Sequence, residues 1–104
     1  MNSTNCKLIV TIVNKGKGEL VAKTACNAGA KGGTVIQGHG LAVKLMLGVS
    51  IEPEKELALT IVNEEQVQAI QEAILKEIDL TQPNKGISFV IPLDSVIGIN
   101  KSQN

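Results

Sequence analysis

Apolar residues fill both alternating sets of positions in residues 7–13 (KLIVTIV), several of them β-branched, which is the pattern of a central strand. The polar run Asn14-Lys15-Gly16-Lys17-Gly18 then turns the chain. In 19–28 the period changes. Val21, Ala25 and Ala28 recur at helical spacing, Leu20 and Ala22 widen the stripe, and Glu19, Lys23 and Asn27 lie opposite. The buried face of this helix is mostly methyl groups, which lets it sit close to a sheet; enlarging Ala25 is expected to overpack that face by roughly 1–3 kcal/mol. Residues 33–38 read as a second, short strand. In 55–62, Leu57, Leu59 and Ile61 alternate with Ala58, Thr60 and Val62, a third strand. Asn63 with Gln66 three residues on is a capping-box variant, Glu64 and Glu65 suit a helix N-terminus, and the stripe Val67, Ile70, Ile74, Ile78 ends near Asp79. Residues 80–86 are rich in turn formers, with Pro83 stopping helix continuation. The strand 87–91 follows, with Ile87, Phe89 and Ile91 on one face, and a shorter strand, 95–99, after a turn at Pro92-Leu93-Asp94.

The order strand, helix, strand, strand, helix, strand predicts an α+β fold. It is a ferredoxin-like βαββαβ sandwich with a short extra C-terminal strand, its four-stranded antiparallel sheet carrying two helices on one face. Residues 1–104 read as a single domain with frayed tails at 1–5 and 101–104. Both faces of the first and third strands are apolar, yet the helices cover only one. A homo-oligomer with its sheets turned inward supplies the missing cover. The connection 39–53 is the least patterned stretch and long for a compact domain. Its Leu45-Met46-Leu47 is placed to dock on its own or a neighbouring subunit.

Composition narrows the function. The chain is 43% hydrophobic but has one aromatic residue, Phe89, so base stacking on aromatic side chains is unavailable. Ten lysines balance ten acids and there is no arginine, which argues against a nucleic-acid footprint. Two cysteines make no disulfide scaffold and no secretory leader is recognisable, so the expected location is cytoplasmic. No apolar run approaches the roughly 20 residues that span a bilayer, so any membrane link runs through a partner.

Catalytic constellations are thin. His39 is the sole histidine, and neither Cys6 nor Cys26 stands at ligand spacing from it. Ser88 has no local base, and Cys26 has no positive partner, so no enzyme activity is indicated. Glycine is the more informative residue. Five of the ten glycines fall in 28–40: Gly29 suits a left-handed helix end, and Gly38-His39-Gly40 lets the backbone approach a turn partner or a ligand. Lys15-Gly16-Lys17-Gly18 before a helix, and Asn84-Lys85-Gly86 before a strand, are two candidate anion-binding clusters. With Gly38-His39-Gly40 they would form a phosphate pocket if the fold brings them together.

In the same order along the chain, 15–19, 28–36, 38–40, 51–56 and 84–90 resemble motifs of the PII-like branch of the nitrogen regulatory protein P-II superfamily. The resemblance implies a homotrimer of ferredoxin-like subunits that binds an adenine nucleotide (ATP, ADP or AMP type) between subunits. It further implies regulation of a membrane transporter or metabolic enzyme through the loop after strand two, here about 41–51. By similarity, Ile12, Thr34, Gly38 and Ile61 line the adenine side, while His39, Gly40, Lys85 and Gly86 face the phosphates. The chain also departs from the family pattern. Its loop is short, it has no tyrosine and so excludes tyrosine uridylylation, and Gly98 and Asn100 stand where classical members carry phosphate-binding arginines. Fewer charge-assisted bonds to phosphate follow. The rival on the same fold is a structural or metal-handling trimer similar to the CutA proteins, without nucleotide binding. An acylphosphatase-like enzyme would need an arginine, which the chain lacks.

Overall fold

The computed structural model describes residues 5–39, 54–82 and 85–98 of the 104. Strand β1 (Cys6–Asn14) leads into helix α1 (Gly18–Asn27), then strands β2 (Gly33–His39) and β3 (Glu54–Asn63). A 3-10 turn (Glu64–Gln66) opens helix α2 (Val67–Ile78), and strand β4 (Gly86–Pro92) follows. The sheet order is β2-β3-β1-β4 and every pairing is antiparallel. This is the ferredoxin-like plan that the apolar periodicity predicts. The central strand is indeed β1, hydrogen-bonded on both sides.

Register sorts the sheet into two faces. Ile9, Val13, Ala58 and Val62 pack with Val21 and Ala25 of α1 and Ile70, Ile74 and Ile78 of α2, a core built without a single aromatic ring. Ala25 is fully buried, as its stripe predicts. Two hydroxyls on this face satisfy each other, Thr11 Oγ1 and Ser88 Oγ lying 3.1 Å apart. The opposite face is also apolar. Rows Ile36-Leu57-Ile12-Ile87 and Leu59-Val10-Phe89 cross it; neither described helix packs on them, yet Val10 and Ile12 in the middle are buried. Ile36, Ile87 and Ile91 are exposed there.

Both helices end alike. Gly29, at φ +120°, follows the last turn of α1, and the Ala30 N–H bonds back to the Ala25 carbonyl at 2.9 Å. At the end of α2 the left-handed residue is Asp79, with the Leu80 N–H on the Leu75 carbonyl at 3.2 Å. The expected fifth strand does not form over its described part: 95–98 has no regular structure. Gly98 at φ +100° leaves the extended range, and Ile97 is 86% exposed with no ladder to hold it. The 41–51 loop lies outside the described residues.

Candidate functional site

Antiparallel pairing gathers the end of β1, the end of β2 and the starts of β3 and β4 at one end of the sheet. Asn14 pairs with Lys55 and Lys55 with Gly38; His39 faces Glu54, and Val13 faces Gly86. The glycine-lysine segments 15–18 and 85–86 and the Gly38-His39 segment therefore lie at this same end of the sheet, with 38–39 and 85–86 at its two edge strands, three strand spacings or roughly 14 Å apart.

The turn after β1 is closed by the Lys17 N–H on the Asn14 carbonyl at 3.0 Å, and Gly16 at φ +91° supplies its left-handed position. Helix α1 begins at once, without a capping side chain of its own. Its cap comes from β3: the Gly18 N–H donates to Glu56 Oε1 at 2.7 Å in a buried contact. A Cβ at Gly18 would lie 2.7 Å from that oxygen and 2.7 Å from Val35 Cγ1, so glycine is what admits the carboxylate. This N–H is therefore not available to an external anion, contrary to the simplest reading of the Lys15–Gly18 run. What the turn offers is lysine charge.

Lys55 is the residue that motif reading passes over. Only 5% exposed, it donates through Nζ to Asn14 Oδ1 on the sheet face away from the helices. The signal was present in the alternation, because Lys55 stands in phase with Leu57, Leu59 and Ile61, where an apolar residue is expected. Glu56, 8% exposed, stands in phase with Ala58, Thr60 and Val62.

The proposed ligand positions divide into two groups. Ile12, Gly38, His39, Lys85 and Gly86 share the glycine-lysine end; Gly40 lies outside the described residues. Gly86, at φ +143°, runs so close to the Ile12 carbonyl that a Cβ would collide with it. Thr34 pairs with Leu59, and Ile61 with Leu8, each four residues along its sheet row from the end group, roughly 13 Å at the rise of a strand. They share the sheet face away from the helices with Ile12 but do not join the end group within one subunit.

A groove of about 480 Å³ runs between α2 and β4, with Val67, Gln71, Leu75 and Leu80 on the helix side and Gly86 and Ser88 on the strand. Glu72 also lines it, which disfavours phosphate there and leaves the lysine end as the better anion site. Cys6 is at the other end of the sheet from His39, both cysteines are free, and the described residues contain no group of three or more metal-ligating side chains. No helix among them is long and apolar enough to cross a membrane.

The family model described as nitrogen regulatory protein P-II matches residues 6–103. No curated protein matches the chain. Among solved structures, the Arabidopsis thaliana PII protein bound to citrate superposes with a TM-score of 0.71 at 17% identity, covering 97% of this chain and 94% of that one. CPII from Thiomonas intermedia K12, bound to ADP, AMP and acetate, gives 0.65 at 20% identity, covering 88% and 87%. The same CPII bound to ADP, AMP and bicarbonate gives 0.62 at 22%, covering 88% and 89%. A model of the P-II family over nearly the whole chain does not favour the CutA-like alternative, and the likeness in fold agrees with it. The chain belongs to the nitrogen regulatory protein P-II family.

Proposed function

We propose that this protein is a non-enzymatic, homotrimeric regulator that binds an adenine nucleotide in the cleft between subunits. The observation that carries this reading is that the 15–18, 38–39 and 85–86 segments, with Lys55, lie at one and the same sheet end of a P-II family chain. Lys15, Lys17 and Lys85 supply positive charge there, and the glycines supply close backbone approach. His39, Gly40, Lys85 and Gly86 face the phosphates. Ile12, Gly38, Thr34 and Ile61 line the adenine side. The separation of Thr34 and Ile61 from the end group fits a site completed by a neighbouring subunit, whose own face contributes these two residues.

With no arginine available, the site suits a nucleotide carrying few phosphates, and the ADP and AMP bound by the Thiomonas protein are of that kind. The apolar sheet face away from the helices, with Ile36, Ile87 and Ile91 exposed on it, is turned to the trimer's interior. The bound state is transmitted by the connection after β2 to a membrane transporter or a metabolic enzyme in the cytoplasm.

Thermal unfolding with ATP, ADP, AMP and cyclic AMP tests the ligand. A nucleotide at 100 times its Kd stabilises by about 2.7 kcal/mol, which gives a selective rise in Tm. Absence of a shift with all four contradicts the nucleotide reading. Analytical ultracentrifugation tests assembly, with three times the 11.0 kDa chain mass expected.

A further inference from the structure

The first residues of β3 hold the β1–α1 turn from both sides of the sheet. Lys55 and Glu56 are neighbours in a strand, so their side chains leave on opposite faces. Lys55 Nζ donates to Asn14 Oδ1 on the face away from the helices, at the near end of the turn. Glu56 Oε1 accepts from the Gly18 N–H on the helix-covered face, at the far end. Both side chains are buried, at 5% and 8% exposure, so neither bond competes freely with water. The fit at Gly18 is specific, since a Cβ there would displace the carboxylate. Between the two anchors stand only Lys15, Gly16 and Lys17. Gly16 is the most permissive residue of the three, and a Cβ on it would meet nothing within 4 Å. The Lys17 N–H on the Asn14 carbonyl closes the turn on itself, and the Lys55 and Glu56 bonds are what tie it to β3.

We propose that Lys55 and Glu56 are positioning residues: a two-sided clamp that fixes the Lys15-Gly16-Lys17 turn relative to the start of β3, and so sets where its lysine charge meets the phosphate end of the nucleotide. The inference rests on the nucleotide reading above. Glu56 acts entirely through Gly18 and touches no ligand. The helix N-terminus and the Gly18 N–H offset part of this carboxylate's charge.

The test compares Lys55→Met, Glu56→Ala and Glu56→Gln with wild type, by amide NMR of the free protein and by calorimetry with ADP. The amides of residues 15–17 are expected to shift in both Lys55→Met and Glu56→Ala, and the Gly18 amide to lose its downfield position in Glu56→Ala. ADP is expected to bind about tenfold more weakly to each, the scale of one lost hydrogen bond to a charged group. Glu56→Gln keeps an acceptor at the same reach and is expected to restore most of the affinity, which a charge effect at long range would not do. Should Glu56→Ala fail to fold, Glu56→Asp withdraws the carboxylate by one methylene and is expected to give the same shifts at smaller amplitude. ADP affinity within twofold of wild type in the folded variants, or unmoved 15–17 amides, overturns the clamp. A wild-type protein that gives no heat with ADP overturns the nucleotide reading alone, and the amide shifts then decide the clamp.

Discussion

The two ends of the sheet are built on different principles. At the end where β1 begins, side chains and backbone tie elements to one another. Gln66 accepts from the Asn63 N–H at 2.9 Å and donates to the Gly29 carbonyl at 2.9 Å, joining the start of α2 to the end of α1. The Glu64 N–H bonds to the Asn5 carbonyl and the Leu93 N–H to the Cys6 carbonyl. The opposite end gathers lysines and glycines, with a carboxylate and an ammonium buried to hold a three-residue turn. The first end needs only to stay closed. The second places charge and bare backbone where a ligand can use them, and buries Lys55 and Glu56 to do so.

Substitutions at each end sharpen this contrast. The largest effect is expected from Gly86→Val: a side chain at φ +143°, driven into the Ile12 carbonyl, should lower unfolding free energy by about 3 kcal/mol in denaturant titration and abolish ADP binding. Gly18→Ala should cost about 2 kcal/mol, since the methyl meets both Glu56 and Val35, and should weaken ADP as well. At the other end, Gln66→Ala removes two hydrogen bonds and should cost about 1 to 2 kcal/mol while leaving the calorimetric Kd for ADP unchanged. Lys85→Ala inverts that pattern. Its Tm should barely move, but ADP should bind about tenfold more weakly, or about 1.4 kcal/mol. A Gln66 variant with altered affinity, or a Lys85 variant without it, would break the division between the two ends.

The four strands and two helices were legible because each carries a clean period: Val67, Ile70, Ile74 and Ile78 could only be one helix face, and 7–13 could only be an inner strand, apolar on both faces. The capping role of Gln66 was legible too, since it depends on residues three apart. The strand expected at 95–99 was not sound, because its apolar residues say nothing about whether a sheet edge is there to receive them. That 15–18, 38–39 and 85–86 share one end of the sheet required the register, which no local pattern encodes. Glu56 as the cap of α1 was hidden for the same reason, lying 38 residues from the N–H it accepts. Lys55 was a different omission: its phase among Leu57, Leu59 and Ile61 already marked it as a charge in an apolar position.

The most direct test of a ligand site confined to one end is an NMR titration of the isotope-labelled protein with ADP, following every backbone amide. The account predicts shifts at Gly16, Lys17, Gly38, His39, Lys85 and Gly86, with Gly29, Gln66 and Leu93 unmoved. Shifts centred on the Gly29–Gln66 end, or no shift at saturating ADP, would contradict it.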